Sequence, residues 1–163
     1  MLVGSALTLA SGYFFKSAFW LPRLSKDEKD TLFAFLDTLI PDDETPGALR
    51  FGVPADIIRK ADNDRDYRRL VKRGCEWLDR EAARRFGRPA FSFLGEEDRD
   101  SLISEMAVGE RNSAHSLFFW LVRRDAFFSY YGKPESWKAI AYKGPPQPAG
   151  FTDYYKAPRR SGP

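Results

Sequence analysis

From residue 25 onward the apolar positions recur at three- and four-residue spacing, and prolines and glycines punctuate the runs. Ser25 followed by Glu28 forms a capping box ahead of Leu32, Phe35, Leu36, Leu39 and Ile40, which predicts a helix from about Lys26 to Ile40, stopped by Pro41. The stretch PDDETPGALRFGVP predicts an ordered loop. Pro54 suits the first turn of a short helix reaching roughly Ala61. Asp64 can cap the longest periodic segment, in which Tyr67, Leu70, Val71, Gly74, Leu78, Ala82 and Phe86 fall on one face before Gly87 ends it. After the linker RPAFSFL, a helix is expected from about Glu96 to Val108, its first turn acidic and its buried face made by Leu102, Ile103 and Met106. Ser113 caps a last long helix, SAHSLFFWLVRRDAFFSYYG, whose apolar residues nearly circle it and whose end is marked by Gly132. Such a helix sits centrally or between two partners.

No strand-like alternation of useful length and no internal repeat occurs. The expected fold class is all-α, a small bundle of about five helices with a long extended Pro/Gly/aromatic C-terminal tail. Three regions follow: a hydrophobic N-terminal segment over 1–22, a helical domain over 23–132, and the tail over 133–163.

The two ends depart from this pattern. The apolar run from Leu2 to Phe15 is shorter than the roughly 20 residues of a spanning helix and has the length of a signal-peptide core, yet no basic region precedes it. Three readings stay open: an export signal, a hydrophobic segment docked on a partner, and a membrane anchor that reaches Leu21 with Lys16 snorkelling. At the other end, WKAIAYKGPPQPAGFTDYY has too many prolines and glycines for a helix or central strand and too many aromatics for a disordered linker. Those rings need a surface, supplied by the chain's own bundle or by another protein.

Composition narrows the chemistry. At 163 residues, with 43% hydrophobic and 15% aromatic residues, the chain has material for one core. The net charge of +3 comes from 26 basic and 23 acidic residues whose signs interleave, as on an ordinary solvated surface. Cys75 and His115 are single, so a disulfide within the chain and a thiolate zinc cluster are excluded, and most familiar sites that draw on His or Cys are removed, which leaves carboxylates, Lys, Tyr or Ser to carry any catalysis. Cys75 reads as a packed small side chain, and His115 as a surface or packed imidazole. Neither GxGxxG nor GxxxxGK is present. Asp42, Asp43 and Glu44 could hold a hard cation or serve a carboxylate-dependent enzyme, but lack calcium-loop spacing and read better as an acidic turn capping the following amides. The basic run from Tyr67 to Arg85 is broken by acidic residues, with Glu76 and Arg80 expected to pair. It reads as a solvated or partner-facing helix rather than a nucleic-acid surface. Arg123, Arg124 and Asp125, inside the most apolar helix, form either a solvent edge or buried pairs at an interface.

In order, TLIPDDETPGALRFGVP, GCEWLDREAARRFGRPAFSFL and FFSYYGKPESWKAIAYKGPPQPAGFTDY resemble the gluconate 2-dehydrogenase subunit 3 family, from about Leu32 to Tyr154. The more specific pieces are Ile40-Pro41, Pro46-Gly47-Ala48, the LD and FG of the long helix, and the final W, Y, GPP and G. The resemblance implies a small subunit without flavin or chemistry of its own, part of a periplasmic, inner-membrane-associated complex. Its partners would be a large FAD-bearing dehydrogenase of the glucose-methanol-choline type, acting on a sugar, polyol or glycoside, and a cytochrome c carrying haem. The resemblance also implies twin-arginine export, although no arginine pair precedes the apolar run. On this basis the tail is expected to wrap a partner through Trp137, Tyr142, Pro145, Phe151 and Tyr154. The alternatives are that it folds back over its own bundle, or that the chain is a membrane-anchoring module or an enzyme using the acidic loop.

Overall fold

The computed structural model describes residues 21–144 apart from 111, 112, 139 and 143. Five α-helices follow one another: α1 (Lys26–Leu39), α2 (Val53–Asn63), α3 (Arg65–Phe86), α4 (Glu96–Val108) and α5 (Ala114–Tyr131). Single turns of 3-10 helix lie at Phe91–Phe93 and Pro134–Lys138, and no strand occurs among the described residues. The chain is an all-α bundle, as its periodicity predicts.

Local chemistry fixes the helix ends. The Ser25 hydroxyl accepts from the Glu28 amide at 3.2 Å while the Glu28 carboxylate accepts from the Ser25 amide at 2.7 Å, closing the capping box. Asp64 accepts from the amides of Asp66 and Tyr67, and Ser113 from that of Ser116. Gly87 ends α3 at φ 63°, a conformation that glycine adopts without strain. Gly132 instead ends α5 in the right-handed region, at φ −69°.

The helix α3 is the axis of the bundle, packed by α5, α2 and α1. Its buried face is Tyr67, Val71, Gly74, Cys75, Leu78 and Ala82; Leu70 and Phe86 stop half-buried at the margin. Gly74 lets α5 approach closely: a Cβ placed there would lie 2.1 Å from Phe118 Cγ. The Phe118 ring, wholly buried, is backed by Phe35 with centroids 4.7 Å apart. The RPAFSFL linker contributes Phe91 and Leu94 to the core. Asp79 stitches it in place by accepting from the Phe91 amide at 2.9 Å and the Thr31 hydroxyl at 2.7 Å.

Candidate protein-interaction surface

The helix α5 has two apolar faces. Toward the bundle it buries Phe118, Phe119, Val122, Ala126 and Tyr130. On the opposite side Trp120 is 48% exposed, Phe128 74% and Tyr131 41%, with Leu117 beside them. Trp120, Arg124, Phe127 and Tyr131 are spaced so that they lie along one line of the helix, Phe128 beside it. Arg123 roofs this line, its guanidinium 4.9 Å from the Phe127 centroid and 5.8 Å from that of Trp120. Trp120, Arg123, Arg124, Phe127, Phe128 and Tyr131 line a shallow hollow of about 670 Å³. The helix that reads as apolar nearly all round is therefore half packed and half open.

Charge in the middle of α5 is divided between the two faces. Asp125, mostly buried, pairs with Lys60 of α2 at 2.5 Å and with Arg124 at 2.9 Å. Burial pushes its carboxyl upward, but the bonds from Lys60 and Arg124 prevail and hold it below the usual carboxylate range. The Tyr67 hydroxyl lies close enough to feel this charge, and burial raises its pKa, yet it makes no hydrogen bond of ordinary geometry. Arg123 pairs with no carboxylate among the described residues.

The root of the C-terminal tail is built onto the end of α5. Tyr130 donates to the Pro46 carbonyl at 2.9 Å, Ser129 donates to Asp56 at 2.5 Å, and Lys133 reaches Asp56 and the Phe51 carbonyl. Trp137 donates from its indole to the Tyr131 carbonyl at 2.7 Å and meets the Tyr142 ring edge-on at 5.2 Å. A turn closed by the Tyr142 amide on the Trp137 carbonyl holds the two rings together. Of the five tail residues expected at an interface, Trp137 is half-buried against its own chain and Tyr142 is exposed at 46%. Pro145, Phe151 and Tyr154 lie outside the described residues, as does the N-terminal segment up to residue 20.

The other candidate sites are occupied by internal bonds. In the acidic loop, Asp42 accepts from the Gly47 amide at 3.0 Å and from Arg50 at 3.3 Å, and Asp43 accepts from the Thr45 amide and hydroxyl. Those Thr45 bonds hold the Asp43 carboxyl below its ordinary value. Glu44 is left exposed, and no cluster of three or more metal-ligating side chains occurs among the described residues. Four cations of α3 pair with carboxylates: Lys72 with Glu28, Arg69 with Asp66, Arg84 and Arg85 with Glu81, and Arg85 also with Glu105. The anion in this network is Glu81 and not Glu76, because Glu81 faces inward and draws both arginines over itself. His115 stacks on Trp77 at 4.6 Å and bonds to the Ser113 hydroxyl. Cys75 is fully buried with its thiol pushed up by burial, donating to the Glu28 carbonyl. No helix among the described residues is long and apolar enough to cross a membrane.

The family model described as gluconate 2-dehydrogenase subunit 3 matches residues 26–144, from the first residue of α1 to the turn beyond Trp137. The chain belongs to the gluconate 2-dehydrogenase subunit 3 family. Neither curated proteins nor solved structures give a significant match. The subunit 3 match covers all five helices and the tail root, so the bundle described above is the family's domain and its members are subunits of a dehydrogenase. Within this domain the open face of α5 is the feature that residue types alone did not single out. Its signal lies in LFFWLVRRDAFFSYY, where two interleaved apolar stripes share one helix.

Proposed function

We propose that this chain is a non-catalytic small subunit that binds and stabilises a large FAD-dependent dehydrogenase of the glucose-methanol-choline type, acting on a sugar, polyol or glycoside. The flavin belongs to that large chain, and electrons leave through a cytochrome c partner carrying haem. The complex resides in the periplasm at the inner membrane, and the small subunit assists export of the folded large one. The observation that carries this reading is the family match across the whole helical domain. Two features support it: Asp42 and Asp43 are taken up by bonds with neighbouring residues, and the tail root presents Tyr142 beside a Trp137 bonded to the Tyr131 carbonyl.

The mechanism is linkage. A protein that binds only the folded form of the large subunit raises that subunit's stability with its own concentration. The tail serves as an arm whose aromatic anchors bury large rigid side chains, while its prolines limit the freedom lost on docking. Trp137 fixes where the arm leaves the bundle, and Tyr142, Pro145, Phe151 and Tyr154 grip the partner.

The test is purification of the tagged chain from its native host, followed by a visible absorption spectrum. Flavin and c-type haem bands on larger co-eluting chains are expected. A colourless chain eluting alone overturns the assignment.

A further inference from the structure

We propose that the outer face of α5 seats the large flavin-bearing subunit, through a partner patch that is apolar at its centre and carries carboxylates at its edge. The inference rests on the small-subunit reading above and assigns that contact to a surface distinct from the tail.

The stripe from Leu117 to Tyr131 runs about 21 Å along the helix at 1.5 Å per residue. That length suits the contact of one helix or strand pair in an interface of standard size. Its composition is that of an interface core: aromatic residues and arginine, both enriched at such cores, with Trp120 and Arg123 already stacked. Because Arg123 is fixed over Phe127, little side-chain entropy is left to lose on docking.

Charge selects the occupant. Covering this face removes water from Arg123 and Arg124, and only Arg124 has a carboxylate beside it, one that Lys60 shares. A buried guanidinium without an acceptor is costly, so the occupant must bring its own carboxylates. The flanking segments of this sequence bring at most one. Residues 1–20 hold Lys16 and no acidic residue, and residues 145–163 hold Asp153 against Lys156, Arg159 and Arg160. A second copy does no better: two-fold pairing about the middle of the stripe places the arginines of one copy against those of the other. An acidic-rimmed protein surface satisfies both arginines, and the face continues through Tyr131 into the tail root that Trp137 holds.

The experiment titrates the full chain and two variants, Phe128→Glu and the pair Arg123→Glu with Arg124→Glu, against the large flavin-bearing subunit isolated from the native complex. Phe128 is mostly exposed, so its replacement leaves the core intact, and equal melting temperatures of the free chains check this. Both variants should weaken binding by roughly thirty-fold or more, as at an interface hot spot. Added salt should weaken the wild type more than the arginine pair variant. If the wild type binds and both variants bind as tightly, the surface assignment is wrong and the small-subunit reading stands. If the wild type does not bind the flavin-bearing chain, both fall. Three other results also overturn the assignment: loss of binding to anionic lipid vesicles instead, a concentration-dependent dimer of the wild type dissolved by Phe128→Glu, or an effect of Phe128→Glu only in chains that retain residues 1–20.

Discussion

Replacing Gly74 with alanine sets two known effects against each other. On an exposed helix position the change would stabilise by about 1 kcal/mol through helix propensity. At Gly74 the new Cβ would fall 2.1 Å from Phe118 Cγ, where ordinary contact needs at least 3.4 Å. The ring has nowhere to go, since it is wholly buried and backed by Phe35 at 4.7 Å. Relief requires α5 to move off α3, so the overpacking cost belongs at the upper end of its usual range, about 3 kcal/mol. The net expectation is a loss of about 2 kcal/mol, or a fall in Tm of about 4–8 °C for a chain of this size. Urea unfolding followed by far-ultraviolet circular dichroism measures it, with Ala83→Gly on the exposed side of the same helix as the propensity control. Trimming the ring supplies the second arm: Gly74→Ala with Phe118→Leu should be less damaging than the sum of the single changes by more than about 1 kcal/mol. A Gly74→Ala chain as stable as the wild type, or more so, refutes the close-packing account of the α3–α5 contact.

Asp79→Ala should cost about 2–3 kcal/mol, because it strands both the Phe91 amide and the Thr31 hydroxyl, and Asp79→Asn should recover part of that; urea midpoints of the two decide. Bonds from Arg84, and then Arg85, hold the Glu81 carboxyl below its ordinary value. A carboxyl depressed in the folded state contributes stability above its unfolded pKa, and that contribution is lost as pH falls through the folded value. The urea midpoint should therefore drop as pH is lowered from about 4.3, and Glu81→Gln should flatten the profile; equal slopes would count against the network. Cys75, buried and with its thiol pKa raised, should resist alkylation at pH 8 in the native chain and react at the rate of unfolding, whereas fast labelling would show that α1 and α3 part readily.

The parts of this fold that sequence makes legible are those with local causes. Ser25 with Glu28, Asp64, Ser113 and Gly87 each act within four residues, and each sits at the helix end that its chemistry predicts. Periodicity likewise places Leu102, Ile103 and Met106 in the core. Legibility ends where a residue's partner is distant. Asp79 reads as an ordinary helix acid until folding brings Thr31 and Phe91 to it. Glu81 and Glu76 are equally able to pair four residues on, and only the packing of α4, with Glu105 meeting Arg85, favours the network around Glu81. The α5 helix shows the same limit at the level of the site. Its nearly continuous apolar run says that two sides need cover, but which side remains open depends on where α2, α3 and α4 pack. In the tail, density of aromatics identifies residues that need a surface. It does not separate Trp137, whose indole bonds to its own backbone, from Tyr142, whose ring touches Trp137 and is otherwise left half exposed.

The central claim is that this subunit stabilises a folded flavin-bearing partner, and the melting temperature of that partner tests it most directly. With the large subunit at fixed concentration, flavin fluorescence should report a transition that moves upward as the small subunit is added, and continues upward logarithmically beyond saturation. A transition that stays in place across a hundredfold excess of the small subunit would contradict the account.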